Sequence, residues 1–178
     1  GEEFKLFDRE VLTPLWEELE KLGSKPALLA VPGNHDLQRL PKPTSAAHML
    51  LKWDANPEIH EEFWEQPDCE YRQLVSDVFA NYSAWWKGCR FRGVVQDGLL
   101  PGDFSAVLET AQGLSIGVIG LNSTFLQLAG GDFEGRLAWD VRQLQAVCGA
   151  DAAAWVKQHD ACLLLTHQGP EWLNERSR

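Results

Sequence analysis

Apolar residues recur at steps of three and four near the start of the chain, which predicts an amphipathic helix over residues 3–22. Pro14 interrupts this pattern, so we expect a kink there or two short helices that meet there. Gly23 and Pro26 end the helix. The apolar run 27–31 is typical of a strand buried on both faces of a sheet that helices cover. Helix, glycine turn, buried strand and polar loop in this order indicate an α/β fold.

Residues 41–88 have a different pattern. Prolines break the first part, and aromatic and apolar residues then recur at mostly helical spacing. We interpret this segment as a helical, aromatic-rich insertion whose rings pack in a core. The alternative is that some rings of its Trp-rich part, 53–86, stack on a nucleobase or sugar.

The second half of the chain alternates between strand and helix patterns. It predicts strands over 90–96, 104–109 and 114–121. Gln112-Gly113 is the expected turn of a hairpin between the last two strands. The remaining pattern predicts helices over 137–147 and 152–158 and a further buried strand over 161–165. No internal repeat or linker divides the 178 residues, so we expect one domain.

Composition narrows the possible partners. The apolar fraction of 44% is that of an ordinary globular protein, and the formal net charge of −10 disfavours nucleic acid or an anionic membrane as a partner. No apolar run is long enough to span a membrane, and no signal-peptide pattern is present. The four cysteines form no C-x-x-C pair, and Cys148 and Cys162 are interpreted as reduced core thiols. A cytoplasmic protein is the expectation.

Polar residues follow each of three predicted buried strands. They are Gly33 to Asp36, Asn122 to Thr124, and Thr166 to Gln168. Ligands of α/β sheets bind beyond the carboxyl ends of the strands, so these loops predict a site. His48, His60 and His159 lie in polar or helix-end contexts and are interpreted as surface or structural residues.

The motifs on these strands resemble those of the calcineurin-like metallophosphoesterases. Gly33-Asn34-His35-Asp36 resembles the family's GNHD/E motif, and residues 163–167 resemble the later strand that ends in a metal-binding histidine. Residues 119–123 resemble the family's LDS-like strand end. The segment 135–144 resembles the helix that follows it, with Trp139 displaced. The resemblance covers most of the chain apart from 41–88.

The resemblance implies a role for each residue of the matching motifs. Asn34 and His167 would bind two divalent metal ions such as manganese, iron or zinc, and His35 would act on the scissile phosphate. Asp36 would hold the His35 ring, and Gly33 would let the backbone turn beside the metals. The implied activity is metal-dependent hydrolysis of a phosphate mono- or diester. The plainer alternatives give these residues no role in catalysis. Asn34 and Asp36 would only form the turn, His35 would be a solvent-exposed loop residue, and His167 would be a hydrogen-bonded residue at the end of its strand.

The family's site needs more than these residues. Its D-x-H, G-D-x-x-D and G-H-x-H motifs are absent here, and Gly102-Asp103 and Gly131-Asp132 come too late in the chain, so they are interpreted as turn residues. We therefore expect residues 1–178 to be a single partial domain cut from a longer enzyme, with an insertion or cap at about 41–88. Cap segments commonly set the substrate in the family, so the resemblance makes the Trp-rich part 53–86 the candidate for that role. The chain that opens at Gly1 without methionine agrees with an excised start.

The expected architecture is α/β, part of a four-layer α/β/β/α sandwich in which two mixed β-sheets face each other. We expect this fragment to be inactive alone, with no metal or only weakly held metal. Its uncovered sheet edges should favour self-association. A non-catalytic interaction or scaffold module on the same fold is the alternative, and a mononuclear metal-binding protein that uses Asn34 and His167 is a third hypothesis.

Overall fold

The computed structural model describes all 178 residues, Gly1–Arg178. The chain is mixed α/β, with most helices in the first half and a sheet in the second. The α-helices are α1 Glu2–Phe7, α2 Thr13–Lys21, α3 Ser45–Leu50, α4 Pro57–Glu65, α5 Glu70–Val78, α6 Ala80–Gly88, α7 Val141–Cys148 and α8 Ala152–Lys157. Short 3₁₀ helices lie at Trp53–Ala55 and Pro170–Trp172. No helix is both long enough and apolar enough to cross a membrane.

One mixed sheet has the strand order β1-β2-β3-β4. Its strands are β1 Gln96–Asp97, β2 Phe104–Glu109, β3 Ser115–Gly120 and β4 Ala161–Leu165. β2 and β3 form the predicted antiparallel hairpin, and Gly113 at its turn has the left-handed φ of +79°. β4 pairs parallel with β3 after the helical crossover through α7 and α8. The α/β class and the mixed sheet are confirmed, whereas a second sheet facing this one is not formed by these residues.

The first helix is continuous through the proline. The segment Asp8–Leu12 is π-helical, and it joins α1 to α2. The Thr13 N–H donates to the Asp8 carbonyl five residues earlier. Pro14 has no N–H to continue the regular ladder, so the irregular turn lies directly before it. The predicted helix is confirmed, and a π-helical turn takes the place of two separate helices.

The prediction of a buried strand over 27–31 is wrong. Only Leu28 forms a bridge, a parallel one with Arg92, and the whole segment is at most half-buried. A strand needs a partner along its length. The partner segment turns at Arg92, whose N–H donates to the Cys89 carbonyl, so it can pair with 27–31 at one position only. The prediction of a strand over 90–96 is wrong for the same reason, and the only strand formed there is β1, Gln96–Asp97.

The insertion 41–88 is helical, as predicted, and it contributes most of the largest core cluster. Phe63 stacks on Phe125, with 5.4 Å between ring centroids, and Trp53 meets both rings edge-on. Trp53, Phe63 and Trp64 expose at most 5% of their surface. These rings therefore hold the insertion on the loop after β3 and leave no face free to stack on a ligand.

The strand β4 is exposed, although its sequence predicts burial on both faces. Leu163 and Leu164 expose 53% and 57% of their surface, and Cys162 is an exposed free thiol, not a core residue. The reason is position, because β4 is the last strand of the sheet order and no helix covers it along its length. Cys148 is buried, as predicted.

Candidate metal centre

The three polar loops predicted from the sequence meet beyond the carboxyl end of β3 and β4. The parallel ladder continues past the strands, because the Leu121 N–H donates to the Leu165 carbonyl at 3.0 Å. The first loop joins them through Pro32, whose carbonyl lies 3.4 Å from Thr124 Oγ1. Residues that are far apart in the sequence therefore share one region of the surface.

Asn34 and His167 are in contact at this region. His167 Nε2 lies 3.2 Å from Asn34 Oδ1, across a sequence separation of 133 residues. His167 is exposed and Asn34 is half-buried. In the neutral ring with hydrogen on Nε2, this contact is an N–H donor to an amide oxygen. In the other tautomer, with hydrogen on Nδ1, Nε2 and Asn34 Oδ1 each present a lone pair of the kind that binds a divalent cation.

Gly33 makes room for the His167 ring. A Cβ at Gly33 would lie 2.9 Å from His167 Cε1 and 3.0 Å from Nδ1, closer than ordinary carbon contacts allow. The φ of Gly33 is not in the left-handed region. The chain turns over residues 33–36, but this turn needs no left-handed φ at Gly33, so the glycine is required for the close approach of the His167 ring to the backbone.

The substitution Gly33→Ala is expected to displace the His167 ring while leaving the fold intact. The added methyl would overlap the ring, and the exposed imidazole can rotate away. Loss of the contact with Asn34 would change the His167 ring signals in a ¹H–¹⁵N spectrum. Gly88→Ala is the matched control, because Gly88 has nothing within 4 Å and no positive φ. Unchanged ring signals in Gly33→Ala would contradict the prediction.

Asp36 closes its own loop. Its Oδ2 accepts a hydrogen bond from the Gly33 N–H at 2.7 Å, and the Asp36 N–H donates to the Gly33 carbonyl at 3.1 Å. The structure contains no hydrogen bond between Asp36 and His35. The carboxylate therefore acts here as a turn former, the alternative that the sequence left open, and His35 is exposed at the tip of the turn.

His35 and Asp36 lie along a cleft with a volume of about 670 Å³. The opposite wall is aromatic, where Phe4 stacks on Trp85 with 4.9 Å between ring centroids. Besides His35, the ionisable side chains that line the cleft are all carboxylates, namely Glu2, Glu3 and Asp36. The local field therefore repels a phosphate group unless bound cations reverse it.

The second polar loop, Asn122 to Thr124, is buried and cannot contact a ligand in the cleft. Each residue exposes at most 1% of its surface. Asn122 Nδ2 donates to the Pro101 carbonyl, and Asn122 Oδ1 accepts from the Thr124 N–H at 2.9 Å. This loop therefore supports the other two and does not itself supply ligands.

Asp103 is the buried acid beneath this loop. It is 1% exposed, and it accepts from the N–H groups of Leu100 and Asn122 and from the Gln143 amide. Burial raises the pKa of Asp103 to about 7, although these hydrogen bonds lower it. Asp103 does close a turn, as predicted, because its N–H donates to the Leu100 carbonyl at 2.9 Å, but it also has the interior role of supporting the loop after β3. Gly102 does occupy a turn, with a φ of +89°.

Gln143 and Gln127 were not predicted as part of the site. Gln143 is 0% exposed, and its side-chain oxygen accepts from the Asp140 N–H in a capping box. The D-x-x-Q spacing at 140–143 is a readable signal for this cap, and it explains why α7 starts at Val141 and not at 137. No sequence signal indicates that the amide of the same glutamine reaches Asp103.

The other histidines have structural contacts. His48 Nδ1 lies 3.0 Å from the Thr44 carbonyl, and the His60 ring packs against Trp53. The His159 ring packs edge-on against Trp155. No group of three or more His, Cys, Asp or Glu side chains is placed to hold a metal ion. The contact between Asn34 and His167 is therefore not part of a larger cluster of such side chains.

Comparison with models of known protein families, with characterised proteins and with solved structures found no significant match to this chain.

Proposed function

We propose that the chain is part of a metal-dependent phosphoesterase of the calcineurin-like type, in which Asn34 and His167 bind one of two divalent cations. The distance of 3.2 Å between His167 Nε2 and Asn34 Oδ1 carries this proposal. Two atoms bound side by side to one ion at about 2.1 Å lie about 3.0–3.5 Å apart. With the His167 ring hydrogen on Nδ1, these side chains therefore need little movement to share a cation.

The donor set fits part of one metal ion's coordination shell. An amide oxygen and an imidazole nitrogen are both neutral, and the structure adds no carboxylate to them. Ligand charge and ligand number set the affinity for a divalent cation. We therefore expect the chain alone to bind such a cation weakly and to hydrolyse no phosphate ester, with the carboxylate ligands supplied by residues outside this sequence.

The chain's own residues have separate parts in the proposed reaction. Asn34 and His167 would hold part of a metal pair, which would supply an activated water and offset negative charge on the phosphate. His35, exposed beside the cleft, donates a proton to the leaving oxygen. Asp36 keeps the turn closed through Gly33 and so places the His35 ring. The substrate in this proposal is a phosphate mono- or diester.

The same proposal extends to the architecture. The four-stranded mixed sheet would be one of the two sheets of an α/β/β/α sandwich. The support is the parallel pairing of β3 with β4, which brings the two polar loops that follow them to one edge.

A non-catalytic interaction module on the same fold is the second candidate. The observation that favours it is the acidic lining of the cleft, Glu2, Glu3 and Asp36, which disfavours a phosphate ester when no cation is bound. The two candidates differ in whether the Asn34–His167 pair binds a metal.

Metal binding is tested by titration of the chain with Mn²⁺ under NMR observation. Paramagnetic broadening is expected at the His167 ring and at the Asn34 amide. The broadening at Asn34 should disappear in His167→Ala, and the broadening at His167 should weaken in Asn34→Ala. His48→Ala is the matched control, because this exposed histidine lies on α3, where its ring bonds the Thr44 carbonyl of the same helix start. Broadening that is uniform over the surface, or that survives in both variants, overturns the proposed ligand pair.

Catalysis is tested on the complete gene product. Mn²⁺-dependent hydrolysis of bis(p-nitrophenyl) phosphate is expected, and His35→Ala should lower kcat by about 10²–10⁴-fold. The 178-residue chain is the inactive control. Absence of hydrolysis by the complete product would overturn the phosphoesterase proposal in favour of the interaction module.

A further inference from the structure

Four polar side chains in the loop after β3 are buried. Asn122, Ser123, Thr124 and Gln127 expose between 0% and 3% of their surface. Burying polar groups is costly unless they are hydrogen-bonded, and these side chains all have partners. The segments that these hydrogen bonds hold in place therefore indicate the role of the loop.

Two of these side chains hold the loop that carries His167. Ser123 Oγ accepts from the Gln168 N–H at 3.1 Å, and Gln127 Oε1 accepts from the Gln168 side-chain amide at 3.2 Å. Gln168 directly follows His167. The backbone and the side chain of the neighbouring residue are therefore both tied to the buried loop, which limits where the exposed imidazole can lie.

The Thr124 side chain reaches the loop that carries Asn34, and the Asn122 side chain holds Thr124. Thr124 Oγ1 lies 3.4 Å from the Pro32 carbonyl, two residues before Asn34, and 3.1 Å from Asn122 Oδ1. The Asn122 N–H donates to Asp103 at 2.8 Å, which anchors the loop in the core. The same short segment thus contacts both sides of the Asn34–His167 pair.

We infer that residues 122–127, the clamp segment, set the distance between Asn34 and His167, and that Ser123 and Gln127 are positioning residues for the candidate metal centre. This inference rests on the proposed function, because it concerns the geometry of the same pair. The clamp segment contacts no ligand itself. It acts by holding two exposed loops at a fixed separation, as partners behind metal ligands do.

The test compares two serine substitutions in the full chain. Ser123→Ala removes the acceptor of the Gln168 N–H and is expected to weaken Mn²⁺ binding by about tenfold. It should also shift the His167 ring signals in the metal-free protein. Ser105→Ala is the matched control, because Ser105 is 5% exposed and its Oγ donates to the Val147 carbonyl, away from both loops. This control should change the Mn²⁺ affinity by less than about twofold.

The two readouts separate this inference from the proposed function. If the wild-type chain binds no Mn²⁺, the metal proposal fails, and the His167 ring signals of the metal-free protein still decide whether Ser123 places the ring. Ring signals in Ser123→Ala that match those of wild type overturn the inference, as does a loss of affinity equal to that of Ser105→Ala. If Ser123→Ala does not fold, Gln127→Ala cuts the second hydrogen bond to Gln168 and is measured in the same way.

Discussion

Replacing Asp103 by alanine is expected to lower the free energy of unfolding by about 4 kcal/mol. The substitution leaves the buried N–H groups of Leu100 and Asn122 and the amide of Gln143 without their acceptor. A buried donor without a partner costs about 1–3 kcal/mol. Chemical denaturation followed by tryptophan fluorescence measures the change, since several tryptophans are in the core.

Asp132→Ala is the matched control for this substitution. Asp132 also follows a glycine, but it is exposed, and its carboxylate accepts one hydrogen bond from the Glu134 N–H. Its loss should change the free energy of unfolding by about 0.5 kcal/mol or less. Equal effects of the two substitutions would show that burial of Asp103 contributes little.

The same residue makes stability depend on pH. Burial raises the pKa of Asp103 from its ordinary value of 3.8 to about 7, so the folded state binds a proton more tightly than the unfolded state. The stability that this proton contributes is complete below about pH 4 and is lost as the pH rises to about 7. The total is about 4 kcal/mol at most.

This pH dependence is measured as the difference in free energy of unfolding between wild type and Asp103→Asn, which cannot titrate at that position. The difference should fall from pH 4 to pH 7 and stay level above that. A difference that is constant, or that rises with pH, would mean that the three N–H donors keep the carboxylate ionised in the core.

The substitution Gly102→Ala should destabilise the protein by about 3–5 kcal/mol and disturb the loop that carries Asn34. Gly102 has a left-handed φ of +89°, and its missing side chain leaves room for the Pro32 ring. A Cβ would overlap Pro32 Cδ and lie 2.8 Å from Pro32 Cγ. The proline ring is rigid and buried, so the backbone has to move.

Gly113→Ala separates backbone strain from the clash with Pro32. Gly113 has a similar φ of +79°, and nothing lies within 4 Å of the added Cβ. Gly113→Ala should lower the free energy of unfolding by only about 1 kcal/mol, because alanine is strained in the left-handed region. Thermal unfolding of both variants gives the difference. Similar costs at the two glycines would rule out the clash as the main effect.

Local patterns in the sequence were sufficient for several elements of the fold. The alternation over 104–109 and the Gln112-Gly113 turn predict the hairpin, because a hairpin depends on neighbours in the chain. The helices of 41–88 follow from their apolar spacing in the same way. Burial of the rings in this segment was also predicted, because large apolar groups have few alternatives.

The strand at 161–165 was predicted correctly, whereas its burial and the strand at 27–31 were not, because both depend on remote partners. The runs 27–31 and 161–165 are equally apolar, yet the first forms a single bridge and the second is an exposed last strand. A strand exists only where another segment pairs with it, and its burial depends on what covers the sheet. Neither the pairing partner nor the covering element can be predicted from the five residues of the run itself.

The sequence by itself determined which residues could form a site. It placed Asn34, His35 and His167 on polar loops after apolar runs, and their side chains have the chemistry of metal ligands and proton donors. Only the tertiary structure decided that Asn34 and His167 lie 3.2 Å apart, and that Asp36 bonds its own loop. It also decided that Asn122 and Asp103 are interior supports. The physical reason is that residue type sets what a group can bind, whereas distance and burial arise from the packing of segments that lie far apart in the chain.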